Sequence, residues 1–510
     1  MRFACKRRDS RQAIMVLMAM IVVSFGANHA GAQYLQPQDD VFFGTSVEED
    51  DLDQPVEQAF PQDVADPVIL DEAPERVPVP VQRVTRQPTV NEDLFSQGLT
   101  EEEALIEEED LLGARQNLRA EAEQTGIARA EEDQPFLPVG FRAGTWQVFT
   151  RLEQAIGYAT NSSYAAGGNP GGFSQTDLNA SLQSDWSRHE ARIDVEGSYR
   201  YSFDSEEEDI PYGAIRGTLR LDLVDGFAVN VLGGYQYTTE STSSRDLNAS
   251  VIERPGVHRL NGSVELERTG GIFDIGLRGS ADRETYDDAE LSNGSSESQR
   301  DRNNTIYEGS LRVAYGASPV LKPFVFAGLG RRQYDEEVDR NGDERSSHIL
   351  DLRGGVEFDL GEKFSGDVAI GYLQEDYDGS TLDDVDTASL FANMIWSPER
   401  GTNVSFSAST SLGGSTTSGE SSAIERNFAL VADRQVRDNL TANAFATLEI
   451  DQYPDDQGSD YLWSIGAGLE YFFSRYFSAT ANVEYEELNA ADETRSWHGT
   501  SFRLGVALHP

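Results

Sequence analysis

The chain has 510 residues and carries 88 acidic against 41 basic side chains, a formal net charge of −47 at neutral pH. That balance excludes a nucleic-acid partner, because phosphate binding needs a basic surface. A mean hydropathy of −0.48 excludes a bundle of membrane helices.

The N-terminus reads as an export signal. Lys6, Arg7, Arg8 and Arg11 precede an apolar run over 13–27, and Ala30-Gly31-Ala32 follows as a small-residue cleavage site. A secretory signal peptide over 1–32, cut between Ala32 and Gln33, is expected. The only cysteine, Cys5, lies before that cut. The mature chain is then cysteine-free, with no disulfide, no thiolate metal site and no lipid linkage to a cysteine.

Residues 33–139 form an acidic extension that is expected to be largely disordered and periplasmic. "PVILDEAPERVPVPVQRVTRQP" is proline-spaced and extended. The stretch around 100–125 is helix-prone, with Leu105, Ile106, Leu111, Leu112 and Leu118 as a thin apolar stripe. A linker, a plug for the domain that follows and a docking helix for a periplasmic partner all remain open for this segment.

From residue 140 to the end the pattern is uniform. Segments of about 10–14 residues alternate with period two, the mark of strands with one apolar and one polar face. In one of them Phe227, Val229, Val231, Tyr235 and Tyr237 share a face, while Ala228, Asn230, Gln236 and Thr238 share the other. The connections strictly take turns between tight ones, such as "VDGF", "RTGG" and "LGEK", and long acidic ones, such as "ETYDDAELSNGSSESQRDRNN". Eight short and nine long connections predict eighteen strands (16–18), both ends on the short-turn side.

A sandwich has no reason to gather every long loop at one end. A transmembrane antiparallel up-and-down β-barrel does, and closure satisfies every backbone hydrogen bond, as lipid requires. The expected class is therefore all-β, with the barrel over 140–510 in the bacterial outer membrane and both termini periplasmic. Phe227 and Val229 are expected to face lipid. Trp146, Trp186 and Trp396 near the short turns, and Tyr237, Trp463 and Trp497 near the long loops, are expected to form aromatic girdles. Lipid, lipopolysaccharide and the barrel assembly machinery are the expected partners. Oligomeric state is not legible.

The polar phase supplies a mixed charged wall: Arg151, Glu153, Arg192, Asp194, Arg200, Arg216, Arg220, Asp222, Arg278, Arg312, Arg331, Arg353, Glu357 and Arg503. Arginine is preferred over lysine, and its planar fork pairs with several carboxylates at once. Such a wall either lines an open pore, biasing which ions pass, or forms a salt-bridged interior that is nearly closed. In "DRNGDE", Asp339, Asn341 and Asp343 partly match a calcium loop, but Glu344 replaces its glycine, so a hairpin tip is the expected reading. The mature histidines, His189, His258, His348, His498 and His509, are scattered, and neither G-x-S-x-G nor H-E-x-x-H occurs. No enzyme, cofactor or metal is expected.

The opening strand carries a resemblance. "LPVGFRAGTWQVFTRLEQAIGYATN", residues 137–161, resembles the entry strand of the β-barrel porin 2 family of alphaproteobacterial outer-membrane proteins through Pro138, Gly140, Arg142, Gly144, Tyr158 and Asn161. The resemblance implies an outer-membrane barrel whose cargo is generally unassigned. The ending His509-Pro510 departs from the terminal aromatic common in such barrels. The leading expectation is a porin-like channel for passive diffusion of small hydrophilic solutes. The alternative is a barrel serving surface polysaccharide export, or a structural or surface role without open conductance.

Overall fold

A computed structural model describes residue 136 and residues 138–203, 209–241, 244–247, 251–316, 318–414, 420–454 and 458–509. The expected signal peptide and the expected helix-prone stretch lie outside the described residues.

Eighteen long strands succeed one another: β1 Trp146–Ala159, β2 Gly171–Ser184, β3 His189–Ser202, β4 Ile210–Asp222, β5 Phe227–Thr239 and β6 Gly256–Arg268. Then come β7 Phe273–Tyr286, β8 Asn304–Tyr315, β9 Leu321–Tyr334, β10 Ser347–Asp359, β11 Phe364–Tyr377 and β12 Val385–Trp396. The last six are β13 Thr402–Gly413, β14 Ala423–Arg437, β15 Leu440–Gln452, β16 Ser459–Ser474, β17 Phe477–Asn489 and β18 Trp497–Leu508. Among the described residues the only helical pieces are single turns such as Arg300–Arg302 and Glu493–Arg495.

Each strand pairs antiparallel with the next, and β1 pairs with β18 from Leu152↔Leu508 to Ala159↔Ser501, so the sheet closes on itself. Connections at one end run from 438–439 to 316–320, and at the other from 453–458 to 287–303. The short turns have the chemistry their geometry needs. Asp225 and Gly226 both hold positive φ, 60° and 74°, as a two-residue hairpin turn between β4 and β5 demands.

The closing seam is finished by a clip. β18 stops opposite Leu152, which leaves the first residues of β1 without a partner from that strand. Phe141–Ala143 folds back to pair Phe141↔Val148, Arg142↔Gln147 and Ala143↔Trp146. The fold-back turns on Gly144, and Gly140 leads into the clip, both at positive φ. Covering that edge removes unpaired backbone groups from the wall.

Side-chain phase follows the pleat. On β18, Phe502, Leu504, Val506 and Leu508 are exposed on the outside, while Arg503 and Ala507 are buried within. Outward aromatics gather at both ends of the wall. Trp146–Trp186 (5.7 Å), Phe358–Phe364 (4.8 Å) and Phe473–Phe477 (5.3 Å) lie at the short-turn end, and Tyr237–His258 (5.0 Å) and Trp463–Tyr485 (5.2 Å) at the long-loop end.

Candidate functional site: a charged lumen below a latched mouth

The inward phase of the strands puts the charged wall inside. Arg151 pairs with Glu153 at 2.6 Å, and Glu153 also accepts from Thr480 Oγ1 on β17 at 2.7 Å, tying the wall across the closing seam. Arg192 grips Asp194 through Nε, 2.9 Å from Oδ2. Arg220 spans Asp222 at 3.0 Å and Glu267 at 3.1 Å. Arg312, 1% exposed, meets Glu357 at 3.0 Å and lies 4.0 Å over the Phe324 ring. Arg353 pairs with Asp351 on its own strand. Arg200 covers the Phe173 ring at 3.6 Å and donates to the Tyr164 hydroxyl. Arg216 shares the phase of Arg220, Arg278 stands opposite Glu265, and Arg503 stands opposite Asn482.

Two expected placements are overturned. Arg331 faces outward, where its guanidinium pairs with Asp378 at the long-loop rim (Nη1 to Oδ1, 2.7 Å). The inward arginine of β9 is its neighbour Arg332, 4% exposed, 2.9 Å from Glu375 and missed by the sequence reading. Both faces of β9 carry apolar residues, Phe324 and Phe326 inside and Val325 and Leu329 outside, so alternation there does not declare its phase. Trp497 faces inward at 7% exposure and packs edge-on against Tyr164 at 5.4 Å. Its odd number puts it in phase with Arg503, opposite to Phe502 and Leu504. Phe227, Val229, Tyr237, Trp146, Trp396 and Trp463 take the outward phase, and Trp186 stands exposed in the turn after β2.

The wall is segregated by sign. From β3 to β11 nearly every inward cation sits beside an acid, as Lys322 does between Asp274 and Glu357 at 3.2 and 3.1 Å. From β14 to β17 the carboxylates outnumber their partners. Glu425, Asp451 and Asp460 stand directly opposite one another across three strands. Among the described residues Glu449, Asp451, Glu484 and Glu486 form no ion pair, whereas Asp460 is bonded to Arg495 at 2.7 Å. Like charges directly opposite on a sheet repel, so this arc gathers carboxyl groups with few cations beside them. Among the described residues, the inward side chains of Arg192, Arg220 and Asp222, near the short-turn end, keep 42%, 39% and 43% of their surface accessible.

At the long-loop end arginines lace the loops together. Arg302 holds Glu240 with two bonds of 2.7 and 2.8 Å, 3.9 Å above the Tyr286 ring. Arg340 grips Asp301 at 2.7 Å. Arg245 reaches Glu420 at 2.5 Å and covers Tyr453 at 3.9 Å, joining loops that lie far apart around the rim. Burial would raise the Asp301 and Asp339 carboxyls, but the Arg340 and Arg345 guanidiniums override it and hold both below the ordinary aspartate range. The "DRNGDE" turn is closed from within. Asp339 accepts from the backbone nitrogens of Asn341 (2.8 Å) and Asp343 (2.9 Å), and Arg345 Nε fills the remaining side at 2.6 Å.

A closed antiparallel barrel with an apolar, aromatic-flanked outside and a charged inside defines a membrane-spanning β-barrel of the outer-membrane type. Residues 134–509 match the family described as "Putative beta-barrel porin 2", and the chain belongs to that family of outer-membrane proteins. No curated protein matches. Among solved structures, the chain is similar to the ferric enterobactin receptor PfeA of Pseudomonas aeruginosa (8% identity, 71% of this chain and 80% of that one, TM-score 0.37). It is also similar to the copper transporter OprC (11%, 72% and 81%, TM-score 0.40) and to the iron transporter FrpB of Neisseria meningitidis (11%, 73% and 83%, TM-score 0.33).

Proposed function

We propose that the protein is a water-filled diffusion channel of the outer membrane that passes small hydrophilic solutes and prefers cations. The short turns and both termini face the periplasm in this reading, and the laced loops face outward. The observation that carries it is the surviving accessibility of inward charged side chains such as Arg220 and Asp222 within a closed wall. An eighteen-stranded barrel is wide enough to leave an aqueous lumen unless something fills it. Cation preference follows from the carboxylate arc on β14–β17, since fixed charges along a pore bias which ions enter. The paired arginines of β3–β11 are neutralised locally and add little net field. Liposome swelling with neutral sugars of graded size and with charged solutes of matched size tests this. Fast entry of small cationic and neutral solutes supports it; impermeability to all of them, with folded protein inserted, refutes it. A second reading, a barrel without open conductance, is favoured by one observation, the arginine network joining loops over the mouth.

A further inference from the structure

We propose that the strand ends 410–413 and 423–426 of the β13–β14 hairpin act as a hinged gate, turned into the lumen here and able to swing out to complete the barrel wall. This inference rests on the channel reading for its effect on current. The ladder between β12 and β13 runs only from Trp396↔Val404 to Phe391↔Ser409, while β11–β12 and β13–β14 stay paired to their ends at Glu375↔Val385 and Gly413↔Ala423. Beyond Phe391 the two strands part, leaving Leu390 N to donate to Thr410 Oγ1 at 3.2 Å in place of a ladder bond.

The freed hairpin has turned inward. Leu412 and Ile424 belong to its outward face, yet they are buried and pack on Leu373 and Val385, inward residues of β11 and β12. Arg426, also on that face, donates to Thr387 Oγ1 inside β12 at 2.9 Å. Arg332 on β9 reaches the Leu412 carbonyl at 2.5 Å. The outer face of the hairpin thus lies against the inner face of the wall.

The sequence fits the other position equally well. Continuing the same register sets Ser389 opposite Ser411 inside, and Ala388 opposite Leu412 outside, the alternation a lipid-facing wall requires. Here Ser389 Oγ is buried with no hydrogen-bond partner among the described residues. A ladder left open in a membrane wall is costly, so the latch of Arg332, Arg426 and the apolar cluster balances the ladder bonds lost. Two packings of one element at similar free energy make a switch.

The test uses disulfides, which the barrel's lack of cysteine makes clean. Ala388→Cys/Leu412→Cys and Ser389→Cys/Ser411→Cys each pair only when the wall is completed, the second leaving the Leu412 anchor in place. Met394→Cys/Phe406→Cys, an existing rung, is the positive control. Both test pairs are expected to cross-link in the full-length protein in lipid vesicles, more slowly than the control. Adding Arg426→Ala should speed them severalfold, and the cross-linked protein should conduct severalfold larger steps. A control that cross-links while both test pairs stay reduced, even with Arg426→Ala, overturns the gate, as does an unchanged step size after cross-linking. Cross-links that form in a protein silent in every state support the two-position hairpin and sink the channel reading alone.

Discussion

Arg312 on β8 and Glu357 on β10 meet at 3.0 Å across the intervening strand, above the ring of Phe324, with Asp367 of β11 3.9 Å from the same guanidinium. One buried cation therefore staples four consecutive strands from inside the barrel. Arg312→Ala would take the guanidinium from Asp367 and leave Glu357 with Lys322 alone, and breaking such a buried pair costs about 3–5 kcal/mol. Denaturant unfolding in detergent or lipid should show a loss of that order. A loss under 1 kcal/mol would mean the lumen is wet enough there to solvate the acids.

The carboxylate arc makes a separate prediction. Asp451→Asn and Glu449→Gln remove an ionisable carboxyl where no guanidinium is bonded among the described residues. They should lower the cation-to-anion permeability ratio severalfold, whereas Asp222→Asn, on the paired side beside Arg220, should change it little. Reversal potentials in a salt gradient read this directly.

The turns held by Asp301 and Asp339 should be insensitive to mild acid. The Asp301 and Asp339 carboxyls titrate below their unfolded value of about 3.9, with Arg340 and Arg345 as the cause. Their contribution to the folded loops is then full above that value and lost as pH falls through the lowered one. Hydrogen exchange over 297–302 and 339–345, corrected for intrinsic rates, should keep its protection from pH 7 to pH 5. Loss of protection near pH 5 would contradict the pairing.

The clip at the seam depends on Gly140. Its φ of +62° suits glycine, and a Cβ there would strike the Val148 carbonyl. Gly140→Val should release the clip at a cost of about 1–3 kcal/mol. Amide exchange should rise at residues 146–148 while the rest of the barrel is unchanged.

Tryptophan placement can be checked one residue at a time. Brominated lipid should quench Trp146, Trp186, Trp396 and Trp463 in single-tryptophan variants and spare Trp497. Strong quenching of Trp497 would contradict its inward packing on Tyr164.

The architecture was legible because two independent patterns agree over the whole length: side-chain alternation, and the strict turn-taking of "VDGF"-type turns with acidic loops. Phase was legible wherever one face was polar, as on β4 with Arg216, Arg220 and Asp222. It failed at Arg331, where adjacent arginines on a strand apolar on both faces offer no local preference, and at Trp497, where an aromatic near a strand end suits a girdle or a loop-covered interior equally. The arginine lacing of the mouth was hidden for another reason. Arg245 and Glu420 lie 175 residues apart in sequence, and nothing local in either loop names its partner. The open ladder between β12 and β13 was equally invisible, since Ser389, Ser411 and Leu412 alternate as if the wall were complete.

The most direct test of the central claim is single-channel recording of the refolded protein in a planar bilayer under a salt gradient. The account predicts discrete, reproducible current steps with a reversal potential on the cation side. Folded, inserted protein that carries no current, or steps with an anion-side reversal potential, would contradict it.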